Sequence, residues 1–572
     1  MKNILIAIRS IFKKGRHNVM KIVSLGIGLA VGLVLIAKVY FEQSYDDFYP
    51  DRDRVYQVWA KYQQNGGELK DYPQTSGGIA PTMQQQIPEI ETVTRYTSFG
   101  DWTFTMTDTK MKYSGRCIIA DSCFFDILPR PMLIGNAKEV LSIPMYVLVS
   151  SRIAKNIGGD VIGKNFTVDS SPGRTMTIGG VFEEVPENSH SRYDVIVSMA
   201  SAGRFMWEGS PTNMLGNDRY ISYVKLHKGV NPLALEEQVH TFVNSYFPPE
   251  EQQKTGFNIG FSFHELDGLH KELPQVKRMT WILSLLAFAL IFTAVMNYIL
   301  IVISSIVNRS KEVAVHKCYG ASENNIHGMM FGEALVHIVL SLILALLLIL
   351  AFRGTVEELL ATSLDSLLLS NGSLVLLGIC ILVFFVSGFM PGSLYARIPV
   401  ASAFRNYREN KRIWKKALLL VQFVATGFLV TMLVFVARQY TFMVNDRPGY
   451  AYENLAYCGL AGVDSTSRAK ILDEVMRLPG VVAATTVYQL PFEHASGNNI
   501  LLPGETQELF NIADLYWVGN GYLDMMEIPV IQGRSFTENV TNSREVMVDR
   551  RFVEKMKLVA GWTDDVIGKD IC

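Results

Sequence analysis

The chain has 572 residues, and its 53 basic and 54 acidic side chains leave almost no net charge. That balance offers nucleic acid no electrostatic footprint, so we expect no nucleic-acid partner. Only 19 % of the residues are charged, against roughly 25 % in an average soluble protein, while 49 % are hydrophobic. The apolar surplus falls into five segments, which predicts a membrane protein.

Five segments with few or no charges are long enough to cross a bilayer as a helix, which takes about 20 apolar residues. We name these predicted helices TM1 to TM5 and assign them, in chain order, residues 22–41, 280–307, 334–352, 373–396 and 417–437. A buried helix of a soluble core explains one such segment, but five in one chain favour membrane spans. TM1 contains Lys38, whose ammonium group we expect to snorkel to the interface. Because no small-x-small cleavage pattern follows TM1, we interpret it as an uncleaved anchor rather than a signal peptide.

The distribution of lysine and arginine predicts the orientation of the helices, because these residues are enriched in cytoplasmic loops. They are dense in a leader (residues 1–21), after TM2 and in a linker (residues 397–416), whereas the TM3–TM4 loop has only Arg353. We therefore expect the amino terminus, the segment after TM2 (residues 309–330) and the linker to be cytoplasmic, and two large regions, residues 42–277 and 438–572, to be extracytoplasmic. The leader also places apolar residues opposite its cations, which suits either a helix lying on membrane lipid or a plain topogenic leader.

The first extracytoplasmic region has the patterns of a folded α+β domain. Strand-like runs occur at residues 145–150, 175–182, 193–199 and 220–226, and helical periodicity occurs at residues 80–87 and 231–247. Abundant aromatic and β-branched side chains argue against a disordered loop. The predicted fold class is an α-helical membrane protein with mixed α+β extracytoplasmic domains and five transmembrane helices.

The two extracytoplasmic regions resemble each other in sequence. Residues 124–136 align with 522–534, residues 147–156 align with 546–555, and a DVIGK sequence follows in both regions. These matches predict a tandem duplication. The second region stops soon after its DVIGK sequence, so we expect it to be incomplete and the chain to be a fragment of a longer protein.

The segment between TM2 and TM3, residues 309–330, is polar although it lies between two strongly apolar runs. Its pattern predicts a helix that ends at Gly320 in a left-handed conformation, with Lys317 favourably placed in the last turn. Ser322 is a good N-cap for a second helix, and Glu323 suits the first turn of that helix. Such a helix–break–helix would present a short rigid element to a cytoplasmic partner; an ordinary connector is the alternative.

The sequence of this TM2–TM3 segment, NRSKEVAVHKCYGASENNIHGMMFGEAL, resembles the signature of FtsX/MacB-type ABC transporter permeases. The matching residues are Arg309, Lys311, Glu312, Lys317, Gly320, Ala321, Ser322, Ile326, Glu333 and Ala334, whereas His316 stands where the family often has arginine. A second family motif, with a proline after the last helix and a later proline and arginine, is matched by Pro391, Pro399 and Arg405. Residues 45–58 and 124–136 resemble the MacB-like periplasmic core domain.

The resemblance implies a non-catalytic permease subunit of the inner (plasma) membrane that works with a separate cytoplasmic ABC ATPase. It implies a MacB-like domain at residues 42–277, an FtsX-like permease domain at 280–396 and a second, incomplete MacB-like domain at 438–572. Coupling to the ATPase would fall to Arg309, Lys311, Glu312, Lys317, Gly320, Ala321 and Ser322. ATP hydrolysis would then move the outer domains and export amphiphilic small molecules, peptides or lipoproteins, with an outer-membrane channel or adaptor as a further partner. The alternative is an FtsX-like regulatory permease that activates a cell-wall hydrolase or signals without transporting a substrate.

Sequence motifs for catalysis or cofactors are weak. GGDVIGKN (residues 158–165) fits a phosphate loop except for Asn165, where serine or threonine should bind magnesium. HELDGLH (residues 264–270) does not have the H-E-x-x-H spacing of a zinc protease. We therefore expect no cofactor, metal or catalytic residue in this chain.

Polar residues within the predicted helices are few. The cores of TM2 to TM5 contain no charged residue, and their polar exceptions include Asn297, His337 and Gln422. Hydrogen bonds between helices explain these residues better than a proton relay does. In the first outer region, Cys117 and Cys123 could form a disulfide or remain free thiols.

Overall fold

The computed structural model describes residues 17–64, 69–169, 171–216, 218–368, 372–396, 413–446, 449–460, 463–491, 496–505, 509–536, 545–563 and 565–572. Most of the leader and the linker up to residue 412, with Pro399 and Arg405, lie outside these residues, as does the side chain of Arg309.

The described helices include five long apolar ones and many shorter ones. In chain order they are α1 (Asn18–Gln43), α2 (Ile79–Gln86), α3 (Phe124–Ile127), α4 (Ala137–Ser142), α5 (Ser151–Ile157), α6 (Ala202–Phe205), α7 (Glu236–Tyr246), α8 (Pro249–Thr255), α9 (Gly268–Lys271), α10 (Pro274–Ser304), α11 (Ile306–Cys318), α12 (Glu323–Ala351), α13 (Arg353–Leu360), α14 (Leu364–Leu368), α15 (Ser373–Ala396), α16 (Ile413–Asn445), α17 (Ser465–Met476), α18 (Tyr522–Met525) and α19 (Arg550–Ala560).

The strands form one large sheet before TM2 and one hairpin after TM5. They are β1 (Val55–Gln64), β2 (Lys70–Tyr72), β3 (Ile90–Met106), β4 (Lys112–Ala120), β5 (Met132–Ile134), β6 (Tyr146–Ser150), β7 (Asn165–Val168), β8 (Ser171–Phe182), β9 (Val195–Ser198), β10 (Ile221–Leu226), β11 (Phe257–Glu265), β12 (Ser496–Ile500) and β13 (Phe510–Leu515). The large sheet has the order β11-β1-β10-β3-β4-β9-β6-β8-β5. The pairs β4–β9 and β6–β8 are parallel, and the other neighbouring pairs in this order are antiparallel.

The predicted elements of this α/β domain are confirmed. The strand-like runs correspond to β6, β8, β9 and β10, and the two helical patterns correspond to α2 and α7. Helices α2 and α7 bury their apolar faces on the β1 end of the sheet, where Met83 and Phe242 share a core with Val58 and Ala60. The domain is therefore held by apolar faces of the predicted period on helices and strands.

The five predicted spans are confirmed as the long apolar helices: α1 is TM1, α10 is TM2, α12 is TM3, α15 is TM4 and α16 is TM5. TM2 ends at Ser304, before the predicted limit, and Pro391 lies inside TM4 rather than after it. The α/β domain joins the carboxyl end of TM1 to the amino end of TM2, and we call this end of the bundle the domain side. The TM2–TM3 segment lies at the opposite end, which we call the far side.

TM1 packs between TM2 and TM3 through glycines. A Cβ atom at Gly28 would overlap Ala294 of TM2, and one at Gly26 would lie 2.9 Å from Leu344 of TM3. Gly28 and Gly32 form a G-x-x-x-G pattern of the kind that lets membrane helices approach closely. TM1 is thus a central member of the bundle and not only an anchor.

The prediction for Lys38 is wrong. Its side chain is only 9 % exposed, and its ammonium group lies 2.7 Å from Glu42 Oε1. It also donates a hydrogen bond of 2.8 Å to the hydroxyl of Thr362 in the TM3–TM4 loop. A partner within reach satisfies the charge inside the protein, so the side chain has no need to extend to the interface.

Some aligned positions of residues 42–277 and residues 438–572 have the same local structure, and others differ. Ser150 caps α5 by accepting a hydrogen bond from the Ile153 N–H, and Asp549 caps α19 by accepting one from the Phe552 N–H. Gly163 and Gly568, in the shared DVIGK sequences, both have a φ of +77°. Residues 147–149 are buried in β6, whereas the aligned residues 546–548 are exposed coil. In the first region β6 pairs with β8 on one edge and with β9 on the other, and both of these strands follow the DVIGK sequence of that region.

Candidate functional site

The membrane helix TM2 ends in a break at Ser305, just before the TM2–TM3 segment. The N–H of Ser305 bonds to the carbonyl of Val302, three residues back, and its hydroxyl donates to the same carbonyl at 2.6 Å. A side chain that bonds to a backbone carbonyl in this way competes with the regular helical ladder. Helix α11 therefore starts at Ile306 as a separate element of 13 residues.

Helix α11 ends as its sequence predicts. Gly320 has a φ of +87°, which a side-chain-bearing residue rarely adopts. The N–H of Ala321 bonds to the carbonyl of His316 at 3.0 Å, and the N–H of Gly320 bonds to that of Lys317 at 3.0 Å. These two bonds form a Schellman motif, which satisfies the last carbonyls of the helix.

The second helix of the segment, α12, begins at Glu323 with Ser322 as its N-cap. The hydroxyl of Ser322 accepts a hydrogen bond from the Asn325 N–H, and Glu323 lies in the first turn. TM3 is continuous with this start, since α12 runs from Glu323 to Ala351. Hydrogen bonds therefore fix the turn of residues 319–322 at both ends, to α11 on one side and to the membrane helix TM3 on the other.

Helix α11 has one face in the bundle and one on the surface. Val313 and Ala314 are each only 1 % exposed and belong to the core of the membrane helices, together with Ile326 and Met330. This packing ties the orientation of α11 to the membrane helices, because close-packed side chains transmit displacement.

The predicted coupling residues occupy different environments. Lys311, Gly320 and Ser322 are exposed, whereas Glu312, Lys317 and Ala321 are partly buried. Arg309 is in α11, but its side chain lies outside the described residues. The six described residues therefore lie on the rim and turn of the segment and do not converge on one point.

Sequence reasoning missed the most prominent side chain of the segment, Tyr319. It is 89 % exposed at the tip of the turn, next to Gly320, and Val315, one turn earlier in α11, is 43 % exposed. The signal was available: an aromatic residue directly before a helix-ending glycine, in a polar segment, is a candidate anchor for a partner because aromatic residues dominate interface energetics.

Glu333, another residue of the matching motif, lies inside TM3 on the far side of the bundle. It is 6 % exposed, and one carboxylate oxygen lies 3.7 Å from Nζ of Lys21 in TM1, whose side chain is fully buried. Lys21 also donates to Asn18 at 3.2 Å. Because buried charges require partners, Lys21 and Glu333 join TM1 to TM3 near the TM2–TM3 segment.

The polar residues of the membrane helices form contacts between helices. Gln422 of TM5 donates from Nε2 to Oδ1 of Asn297 in TM2 at 2.5 Å. The hydroxyl of Tyr298 in TM2 lies 3.1 Å from Nδ1 of His337 in TM3. These contacts agree with the predicted role of Asn297 and His337 in helix association.

The loop that resembles a phosphate-binding loop, residues 158–165, makes hydrogen bonds within the α/β domain. The N–H of Gly163 donates to the Ile178 carbonyl, and Lys164 Nζ donates to the Gly158 carbonyl. These donors are therefore already paired with backbone carbonyls of the same domain. Cys117 and Cys123 are free thiols, and burial raises the pKa of the Cys117 thiol. Among the described residues, no three histidine, cysteine, aspartate or glutamate side chains group as metal ligands.

Two family models match the chain. The model described as MacB-like periplasmic core domain matches residues 20–242, and the model described as FtsX-like permease C-terminal matches residues 284–400. The second match spans TM2, the TM2–TM3 segment, TM3 and TM4. No curated protein sequence matches the chain at a significant level.

Solved structures similar to this chain include domains of a permease and of transporters. A domain of a putative permease protein from Porphyromonas gingivalis has 32 % identity, covers 38 % of this chain and 91 % of its own, and has a TM-score of 0.35. The periplasmic region of MacB from Actinobacillus actinomycetemcomitans has 16 % identity, covers 38 % of this chain and 92 % of its own, and has a TM-score of 0.25. The extracellular domain of the ABC-type transporter YknZ from Gram-positive bacteria has 11 % identity, covers 36 % of this chain and 98 % of its own, and has a TM-score of 0.26.

Permeases of these families are typically non-catalytic membrane subunits that work with a cytoplasmic ABC ATPase. The two family models together match TM1, most of the α/β domain, and the part of the chain from TM2 through TM4. The chain belongs to the FtsX/MacB-type ABC transporter permeases.

Proposed function

We propose that this permease couples ATP hydrolysis by a separate cytoplasmic ATPase to movement of its periplasmic domain, and that the TM2–TM3 segment is the element on which the ATPase acts. The observation that carries the proposal is the turn of residues 319–322, which hydrogen bonds fix at both ends. It is held rigid by a Schellman motif on one side and an N-cap on the other, and it exposes Tyr319.

The packing of the segment supports transmission of force. A push on the exposed tip reaches the bundle core through Val313 and Ala314, which are buried on the opposite face of α11. A flexible connector would absorb the same push, because movement of an unpacked chain displaces no neighbours. We assign the contact surface to Lys311, Val315, Tyr319 and Ser322, and the shape of the turn to Gly320.

The orientation of the chain is part of the proposal. We place it in the inner membrane with the amino terminus, the TM2–TM3 segment and the linker in the cytoplasm. Cys318, which is exposed at the end of α11, provides the test. In a variant that keeps Cys318 as its only cysteine, a membrane-impermeant thiol reagent should label permeabilised cells but not intact ones. Labelling of intact cells would overturn the orientation and the coupling role together.

Gly320→Val tests the coupling itself. No atom lies within 4 Å of a Cβ at this position, so the change strains the turn through its backbone and creates no clash. A left-handed conformation costs a residue with a Cβ about 1–2 kcal/mol, so the turn should change shape while the membrane helices stay folded. We expect normal insertion and a loss of permease-stimulated ATPase activity.

Gly354→Val is the matched control. Gly354 is also free of neighbours within 4 Å but lies in α13, on the domain side, without a positive φ. This variant should keep full stimulation. Normal stimulation in Gly320→Val would contradict the proposed role of the turn.

We propose amphiphilic small molecules, peptides or lipoproteins as the exported class. The middle of TM2 to TM5 contains no charged residue, which disfavours a hydrophilic path for a charged solute and favours work done by a moving periplasmic domain. Export from vesicles that contain the permease and its ATPase tests this proposal. Domain movement without export of any such compound would instead place the protein among the regulatory permeases.

A further inference from the structure

A buried charged cluster lies on the domain side of the bundle, at the opposite end from the TM2–TM3 segment. Lys38 of TM1 contacts Glu42 at 2.7 Å and the Thr362 hydroxyl at 2.8 Å. Nε2 of His270 lies 2.6 Å from the other carboxylate oxygen of Glu42. We call Lys38, Glu42, His270 and Thr362 the domain-side junction.

The junction is shielded from water. The side chains of Lys38 and Glu42 are 9 % and 6 % exposed, and the ring of Tyr45 stacks on His270 with centroids 3.5 Å apart. Removing a charge from water costs several kilocalories per mole unless a partner is held in good geometry. The members of the junction therefore favour one arrangement of the segments that carry them.

Those segments come from three parts of the chain. Lys38 and Glu42 are in TM1, His270 is in α9 just before TM2, and Thr362 is in the TM3–TM4 loop. Apolar contacts support the same arrangement, because Leu367 of α14 shares a small buried core with Ala37 and Phe41 of TM1. The junction thus joins the domain-side ends of TM1, TM2 and TM3.

The α/β domain is attached at the same place. The Ser363 N–H donates to Oε2 of Glu187 at 3.0 Å, and the Asp46 N–H donates to the Asn188 carbonyl at 2.9 Å. Nδ1 of His190 lies 2.7 Å from Oδ2 of the fully buried Asp46. Residues 187–190 of the domain are therefore held against both the exit of TM1 and the TM3–TM4 loop.

We propose that the domain-side junction passes movement of the membrane helices to the periplasmic domain, with Lys38, Glu42 and His270 as its positioning residues. This inference rests on the proposed function and adds its output end. Three segments joined through buried, paired charges move together, whereas loss of one partner leaves an uncompensated charge that favours hydration and separation of the segments. The junction acts after the ATPase has engaged the far side, so breaking it uncouples the domain without disengaging the ATPase.

Glu42→Gln in the full chain, reconstituted with the ATPase that co-purifies with it, tests the junction. Spin labels at Met111→Cys in the domain and Leu374→Cys at the start of TM4, both exposed positions, report the distance between domain and bundle in a background without other cysteines. In the parent chain, ATP with vanadate should shift this distance. In Glu42→Gln the shift should be lost, while ATPase stimulation stays within about twofold because Glu42 lies at the opposite end of the bundle from the surface that we assign to the ATPase and shares no partner with it.

Two further variants keep the test decisive. Glu272→Gln, which removes one partner of an exposed ion pair with Lys277 near the same site, is the matched control and should keep the shift. Thr362→Val removes the hydroxyl that links Lys38 to the TM3–TM4 loop but keeps the shape of the side chain and the ion pair with Glu42. Thr362→Val should also reduce the change in spin-label distance. If Glu42→Gln does not reach the membrane, Thr362→Val alone tests the role of the junction.

The outcomes separate this inference from the proposed function. An undiminished distance shift in Glu42→Gln, or in Thr362→Val where that variant decides, would overturn the junction and leave coupling intact. Absence of both ATPase stimulation and distance shift in the parent chain would overturn the proposed function. Loss of the shift with stimulation retained supports both.

Discussion

The close packing of TM1 on TM2 leads to a sharp prediction for Gly28→Ala. A Cβ at this position would lie less than 3.0 Å from the Cβ of Ala294. Carbon atoms in contact prefer about 3.5–4.0 Å, so the two helices would have to separate by more than about 0.5 Å. The neighbouring atom belongs to an alanine, which has no other rotamer and cannot move aside.

The magnitude follows from the attraction lost along the interface. One pair of carbon atoms at its best separation contributes an attraction of about 0.1–0.2 kcal/mol. A gap of about 0.5–1 Å removes about a quarter to a half of that attraction. Over some tens of pairs between TM1 and TM2, the loss comes to about 1–2 kcal/mol. Overpacking in protein cores typically costs about 1–3 kcal/mol, which is the range that we expect for the free energy of unfolding.

Gly378→Ala is the matched control, because Gly378 is a helical glycine of TM4 with no atom within 4 Å of its Cβ position. Alanine gains roughly 0.5–1 kcal/mol over glycine within a helix at both sites, so the difference between the variants isolates the clash. Unfolding in mixed micelles by increasing sodium dodecyl sulfate measures both. Equal midpoints for the two variants would refute the packing of TM1 against TM2.

Three other substitutions test the remaining features. Tyr319→Ala should leave the midpoint of unfolding unchanged, since the side chain is 89 % exposed, but weaken ATPase binding by about 1–2 kcal/mol in titration calorimetry; unchanged affinity would remove Tyr319 from the contact surface. Gln422→Leu removes the hydrogen bond to Asn297 and should loosen TM5 from TM2 by about 0.6 kcal/mol, seen as a lower micellar unfolding midpoint, whereas no change would mean that this contact adds nothing. Asp549→Ala should destabilise α19 by about 1 kcal/mol through loss of its N-cap, and Asp549→Asn should not; faster hydrogen exchange in α19 would be seen in the first variant only.

Much of the candidate site could be predicted from sequence because its signals are local. Gly320 and Ser322 act within one turn of their own positions, through the left-handed conformation and the N-cap, so four or five residues of sequence contain the information. The break at Ser305 was missed because a serine bonding to a carbonyl three residues back is equally compatible with a continuing helix. The exposure of Tyr319 was also missed, since it depends on which face of α11 meets the other helices.

The sequence by itself determined the five spans, the α+β character of the domain and the form of the turn between TM2 and TM3. Each depends on composition or on period along a single element. Only the tertiary structure decided that Lys38 is buried and linked to the TM3–TM4 loop, because Thr362, one of its two partners, is more than three hundred residues away and no local pattern connects them. The same holds for Lys21 with Glu333 and for Gly28 with Ala294: a buried charge or a close approach is defined by what lies opposite, and only the packing of distant helices supplies that neighbour.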